Sequence, residues 1–218
     1  MTTRPPARPR ALLVDYGGVL TSSMASGFAD TCEGFGIDSS TFLAEVFGRE
    51  LATDSPFVQL ELGKVSQEEF GALVTPVLNR HADYPVDGVA WYAAMQDVAW
   101  ALDRATIATI AEVIATGVPT ALVSNSWGPA EAYPWDDLPP FEHTVLSCEV
   151  GLRKPDPQIF RVAAERVGVP VEECLLVDDL TINVAAATAL GMSTIHHSNA
   201  ADTRRGLADL ALLPSIDA

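Results

Sequence analysis

The sequence predicts an α/β domain, a mostly parallel β-sheet with helices on both faces and a helical segment inserted after the first strand. Short apolar runs alternate with helical patterns from about residue 101 onward. A first apolar run, Ala11 to Val14, ends in Asp15 and is followed at once by Gly17 and Gly18. Between residues 22 and 100 strand-like runs vanish and helical spacing takes over. Of the 218 residues 48% are hydrophobic, enough material to bury the core of one large domain with a smaller insertion.

Ala11 to Asp15 reads as a buried strand that stops at a tight turn. Within the insertion, Ser66 and Glu69 form a capping box, and Phe70, Leu73, Val74, Val77 and Leu78 continue at helical spacing. Pro76 falls inside that pattern and is expected to kink or break the helix. A further helix is expected over 87–100, through Val89, Tyr92, Ala93 and Gln96.

Beyond the insertion, Ile107, Ile110, Ala111 and Ile114 make one helical face that Gly117 is placed to end. Thr120 to Val123 reads as a strand ending at Ser124 and Asn125, and Thr144 to Leu146 as a weaker third. Asp156 and Pro157 suit the N-cap and first position of a helix running to Gly168. Cys174 to Val177 is a strand ending in Asp178 and Asp179, Thr181 to Leu190 a helix stopped by Gly191, and Ser193 to His196 a last strand. The expected architecture is Rossmann-like: a core of residues 10–21 and 101–218, a helical insertion over 22–100, and a disordered tail over 1–9.

The net charge of −16 argues against a nucleic-acid partner, which requires a basic patch. No apolar run approaches the roughly 20 residues of a membrane span, so the chain is expected to be soluble and without a membrane partner. Thr2 to Arg10 sets three arginines among three prolines and lacks the apolar stretch of a secretory signal, which points to the cytoplasm. Cys32, Cys148 and Cys174 are too scattered for a disulfide framework or a zinc site, and are expected as buried free thiols. The only lysines are Lys64, in a turn of the insertion, and Lys154.

In a parallel sheet, ligands bind beyond the carboxyl ends of the strands. Every strongly polar strand ending here falls at that edge: Asp15, Ser124 with Asn125, Lys154 after the third strand, and Asp178 with Asp179. Crowded carboxylates need a cation, and hard oxygen ligands suit Mg²⁺. Ser, Asn and Lys bring the donors that a phosphate requires.

This constellation, in this order and spacing, resembles the haloacid dehalogenase superfamily over about Arg10 to Ile195. The motifs that carry the resemblance are Asp15-Tyr16-Gly17-Gly18-Val19, Ser124-Asn125, the Lys154-Pro-Asp-Pro-x-Ile-Phe run, and Val177-Asp178-Asp179. The insertion over 22–100 resembles the family's helical cap. The resemblance implies a Mg²⁺-dependent phosphatase of a small phosphorylated metabolite. Asp15 would be its nucleophile, forming an aspartyl-phosphate. Asp15, the Gly17 carbonyl, Asp178 and Asp179 would form the metal site. Ser124, Asn125 and Lys154 would grip the phosphoryl group, with Lys154 also neutralising the nucleophile's carboxylate.

One departure stands out. Phosphatases of the superfamily usually carry a second Asp, acting as general acid and base, where this chain has Gly17. Loss of such a group removes roughly 10²–10⁴-fold of rate. Two alternatives follow, a catalytically weak ligand-binding or interaction protein and a metal-independent 2-haloacid dehalogenase. A phosphonate-cleaving relative would need a cap lysine, for which Lys64 is the candidate. Asn183 suits either orienting the fourth motif or capping its helix. His196 and His197 read as structural. Trp127, Tyr133 and Trp135 read as packing of a long loop, with the wall of a pocket as the alternative.

Overall fold

The computed structural model describes residues 8–47, 55–99 and 101–215. The sheet grows from apolar runs buried on both sides. Its strands are β1 (Ala11–Val14), β2 (Thr120–Ser124), β3 (His143–Leu146), β4 (Cys174–Asp178) and β5 (Ser193–His196). They lie in the order β3-β2-β1-β4-β5, and every neighbouring pair is parallel.

Helices α1 (Met24–Gly34), α2 (Ser39–Phe47), α3 (Pro56–Glu61), α4 (Gln67–Leu78) and α5 (Gly88–Ala99) fall between β1 and β2, followed by α6 (Arg104–Ala115). A short α7 (Ser147–Val150) and α8 (Pro157–Arg166) follow β3, α9 (Thr181–Ala189) joins β4 to β5, and α10 (Ala200–Asp209) comes after β5.

Alternate residues of each strand serve opposite faces. Ala11 and Leu13 pack with Val123, Val145 and Leu176, and with Ile159, Phe160 and Ala187 from α8 and α9. Leu12 and Val14 pack with Leu122, Leu175 and Val177, and with Ile110, Val113 and Leu207 from α6 and α10. Both faces are covered at the centre of the sheet, which is why β1, β2 and β4 are buried throughout and read as apolar runs and not as alternating ones. Each fully buried aliphatic side chain stabilises the fold by about 1.5–3 kcal/mol.

The strand order has a functional consequence. The chain moves outward from β1 to β2 and β3, then returns to the far side of β1 with β4 and β5. Connections leave β1 and β4 in opposite directions, and a crevice opens at their carboxyl ends. Val14 is in register with Val177, and the Asp15 N–H donates to the Val177 carbonyl at 3.0 Å. Asp15 and Asp178, the next residue on each chain, therefore emerge side by side at the crevice.

The inserted helices gather around their own cluster, which includes Phe28, Phe42, Phe57, Phe70 and Trp91. The chain leaves and re-enters the core beside itself: Thr21 pairs antiparallel with Leu102, flanked by Ser22 N–H to Ala101 O at 2.7 Å and Asp103 N–H to Leu20 O at 2.9 Å. Among the described residues, none between 22 and 100 belongs to the five-stranded sheet. The capping box forms in both directions, with Glu69 N–H to Ser66 Oγ at 3.1 Å and Ser66 N–H to Glu69 Oε2 at 2.8 Å.

The expected break at Pro76 is corrected, because α4 continues through it to Leu78. Pro76 sits in the last turn, so it removes a single bond near the helix end. There Asn79 closes the turn, its N–H and its side-chain amide donating to the Thr75 carbonyl at 3.0 and 2.9 Å. Of the tail expected over 1–9, residues 1–7 lie outside the described residues, and Pro9 is already buried. No helix among the described residues is long and apolar enough to cross a membrane.

Candidate active site

The centre of the crevice is a buried ion cluster. Lys154 Nζ lies 2.7 Å from Asp15 Oδ1 and 2.7 Å from Asp178 Oδ2, and all three side chains are almost wholly shielded from solvent. Burial opposes the lysine's charge, but Asp15 and Asp178 outweigh it and hold Lys154 protonated, above the ordinary lysine range. Burial pushes Asp15 well above the usual carboxylate range; Lys154 counters, while Asp178 and Asp179 add to the rise. The bonds to Asp15 converge on Oδ1, which also accepts the Tyr16 N–H at 2.6 Å.

Neighbouring loops hold these groups in place. Asp178 Oδ1 accepts from the Leu180 N–H and from Asn183 Nδ2, each at 2.9 Å, so Asn183 orients the fourth motif from inside α9. Asn125 donates to the Lys154 carbonyl at 3.0 Å and accepts the Lys154 N–H at 2.8 Å. Its oxygen and one of its two amide hydrogens are thus engaged by the backbone of the lysine loop. The geometry makes it a holder of Lys154. The Lys154–Pro155 peptide in that loop is cis. Ser124 Oγ accepts from the Tyr133 hydroxyl at 2.9 Å, which leaves its own hydrogen free to donate. Burial pushes the Tyr133 phenol up to about 12, so it stays protonated. Buried His197 bonds Thr203 Oγ1 at 2.8 Å, and exposed His196 bonds the Asp179 carbonyl at 2.8 Å.

Asp15, Asp178 and Asp179 offer ligand atoms that all lie within 4.8 Å of one another. Asp179 Oδ1 is buried and has no hydrogen-bond partner, and burial followed by the Asp178 charge raises its pKa. Gly18 permits this approach. With φ at +76°, a Cβ there would stand 2.2 Å from Asp179 Oδ2. Gly18→Ala is therefore expected to displace Asp179 and to cost on the order of 1–3 kcal/mol from backbone strain alone. Urea unfolding measures this, and wild-type stability in the variant would refute it. Gly17 has a different neighbour. A Cβ there would come within 3.2 Å of Met24 Cγ, the flexible side chain that covers it.

A cavity of about 350 Å³ opens from this cluster, with Asp15, Ser124, Lys154 and Asp179 in its lining. Helices α1 and α3 supply the opposite wall through Met24, Phe28, Phe57 and Val58. Trp127 and Tyr133 line the cavity too, which corrects the expectation that they only pack their loop. Trp135 does pack it, stacked on Tyr133 with ring centroids 5.2 Å apart.

Sequence reasoning missed Glu61 of α3. Its carboxylate pairs with Arg153 and accepts the Trp127 indole N–H at 3.2 Å, while its carbonyl accepts from the Ser147 hydroxyl at 2.6 Å. Glu61 and Arg153 stand 92 residues apart, and no local pattern links them. Lys64 is exposed and absent from the cavity lining, which withdraws the candidate for a phosphonate-cleaving Schiff base.

The model of haloacid dehalogenase-like hydrolases matches residues 9–191. The chain belongs to that family. Acyl-CoA dehydrogenase family member 10 of Mus musculus is 28% identical over 192 residues, covering 85% of this chain and 18% of the mouse protein. Flavin mononucleotide hydrolase 1 of Arabidopsis thaliana is 34% identical over 73 residues, 34% of this chain and 30% of its own length. The haloacid dehalogenase-like chain thus spans less than a third of either curated relative. A family enzyme of Bacteroides thetaiotaomicron, solved with magnesium and inorganic phosphate, shares the fold. Its TM-score is 0.61 at 23% identity, over 87% of this chain and 94% of its own.

Proposed function

We propose that this hydrolase is a Mg²⁺-dependent phosphatase of a small phosphorylated metabolite, acting through an aspartyl-phosphate on Asp15. The observation that carries the reading is the buried, unpartnered Asp179 Oδ1 within a set of three carboxylates. One ammonium, Lys154, cannot balance three acids, and a buried carboxylate oxygen without a partner is costly. A small hard cation fits that donor set. Asp15, Asp178 and Asp179, with the Gly17 carbonyl, would hold it. When bound, Mg²⁺ supplies the positive charge that offsets these carboxylates and the oxygens of a transferring phosphoryl group.

The chain's own residues would do the rest. Lys154 and the Tyr16 N–H hold Asp15 by Oδ1. Oδ2 would attack phosphorus as the ester P–O bond breaks, and the departing alkoxide would take a proton from water. A second water would attack the same phosphorus, releasing inorganic phosphate and restoring the carboxylate. Ser124 O–H and Lys154 would bind the phosphoryl oxygens. The helices over 22–100 would act as a cap that excludes bulk water, as their share of the cavity wall suggests. The flavin mononucleotide hydrolase relationship and the phosphate-bound structural neighbour support the same chemistry.

The test is phosphate release across a panel of phosphorylated metabolites, with Mg²⁺, after chelation and after Mg²⁺ is restored. Loss and recovery of activity are expected, and Asp178→Ala should require far more Mg²⁺. Full activity after chelation would favour dehalogenase-type chemistry. No release under any condition would favour a binding module, the reading to which Gly17 lends weight.

Gly17 also sets an expectation for rate. With no acid at that position, turnover should depend steeply on leaving-group acidity. Gly17 is not among the glycines with positive φ, and a Cβ there would meet only the flexible Met24, so the backbone at this position accepts the first side-chain atom of Gly17→Asp. The added acid should flatten that dependence and speed poor leaving groups by up to roughly 10²-fold, the lower end of general-acid contributions. A flat dependence in the wild type would show that another group donates the proton.

A further inference from the structure

The cavity that would receive the leaving group carries an aromatic wall. Phe28 from α1, Phe57 from α3 and Trp127 from the loop after β2 form a mutual aromatic wall. Their ring centroids lie 5.3 Å apart for Phe28–Trp127, 5.7 Å for Phe57–Trp127 and 6.0 Å for Phe28–Phe57. Met24, Val58 and Tyr133 extend that lining. The wall is held in place before any ligand arrives. The Trp127 indole N–H is fixed on Glu61 at 3.2 Å, and its carbonyl accepts from the Tyr92 hydroxyl and from Gln67.

Some polar side chains of the same cavity are committed to one another. Glu61 is neutralised by Arg153. Gln96 donates to the Tyr92 hydroxyl at 2.5 Å. Asn125 is held at both ends by the Lys154 backbone. A sugar entering this space would lose its water and find Glu61 and Gln96 already engaged and an aromatic surface that cannot bond its hydroxyls, which is unfavourable. A hydrocarbon ring loses nothing of that kind and gains burial and edge-to-face contacts. About 350 Å³ is room for a compact ligand, at the lower end of small-molecule pockets.

An independent observation concerns the reaction. Gly17 offers no side-chain acid, and Met24 covers the place where one would stand. A phenolate departs without the protonation that an alkyl alkoxide requires.

From these two observations we propose that the substrate class is the monophosphate ester of an apolar aromatic alcohol. The inference rests on the phosphatase reading above and names the body that the phosphate carries. Phosphorus passes to Asp15 Oδ2, and the aryl oxygen leaves as a phenolate that needs no donor.

The experiment compares kcat/KM, with Mg²⁺ present, for 2-naphthyl phosphate, for a naphthyl phosphate sulfonated on the distal ring, for glucose 6-phosphate and for acetyl phosphate. The two naphthols have similar acidity, so their comparison isolates the wall from leaving-group strength. The unsulfonated ester is expected to be preferred at least 10-fold over the sulfonated one, and more strongly over the sugar phosphate. Phe57→Leu and Phe28→Leu should each lower the ratio of 2-naphthyl to acetyl phosphate by a factor of 3 or more. Should those variants not fold, competitive inhibition of wild-type acetyl phosphate hydrolysis by 2-naphthylphosphonate, but not by methylphosphonate, is the equivalent supporting result. Equal turnover of both naphthyl esters, or better turnover of the sugar phosphate, would overturn the aromatic assignment while leaving the phosphatase reading intact. No hydrolysis of any of these phosphates, acetyl phosphate included, would overturn both.

Discussion

Asp15→Asn is expected to lower phosphate release by roughly 10⁴-fold or more, the scale on which loss of a covalent nucleophile is felt. The substitution preserves the size of the side chain and its place beside Lys154, but an amide is a very poor nucleophile. Stability should move the other way. Burial and the neighbouring Asp178 and Asp179 raise the folded-state pKa of Asp15, so its charge is disfavoured in the metal-free fold. A group with a raised folded pKa contributes stability below its unfolded value and loses that contribution as pH rises through the folded one. The metal-free wild type should therefore weaken across that rise, while Asp15→Asn should not. At neutral pH in chelator the variant should melt at or above the wild-type temperature. Added Mg²⁺ should stabilise the wild type more than the variant. Turnover within 10-fold of wild type, with deamidation excluded by mass spectrometry, would refute the nucleophile. A metal-free variant melting well below wild type would refute the electrostatic account.

Lys154→Met should cost both stability and activity, each for its own reason. The ammonium is the cation that separates Asp15 from Asp178, with 2.7 Å contacts to each and almost none of its own surface exposed. Removing one partner from a buried ionic cluster costs about 3–5 kcal/mol, because the remaining charges are left uncompensated. The loss should be largest in chelator at neutral pH and should shrink in acid, as Asp15, whose pKa burial raises, takes up a proton. Activity should fall by roughly 10²–10³-fold, the usual consequence of removing one preorganised charge-stabilising donor. Lys154→Arg should not rescue it, since a planar guanidinium cannot replace a compact ammonium between two carboxylates so close together. Urea unfolding with and without Mg²⁺ measures the first effect. A loss below about 1 kcal/mol in chelator would mean that water or backbone groups already screen the pair.

The sheet and most of its polar edge were legible in the residues themselves. Ala11 to Val14, Thr120 to Val123 and Cys174 to Val177 form strands because parallel strands buried on both faces must be apolar throughout. Their last residues had to meet at one edge, since parallel strands carry their carboxyl ends to the same side. Asp15, Asp178, Asp179 and Lys154 could accordingly be read as one cluster before any coordinates. The Ser66–Glu69 capping box and the Asp156–Pro157 helix start were equally local, each being fixed within a single turn.

Tertiary structure decided what depended on pairs distant in sequence. The register of Val14 with Val177 sets Asp15 beside Asp178. Asn125 turned out to hold the lysine loop, because its amide fits the Lys154 backbone 29 residues away. Only packing brings Glu61 to Arg153, and joins Phe28 and Phe57 to Trp127. Hydrophobic periodicity says that a side chain is buried, but not which element it is buried against, because burial is non-directional whereas contact is specific. The chemistry of the acidic edge was therefore written in local sequence, while the character of the cavity opposite it was settled by the packing of the inserted helices.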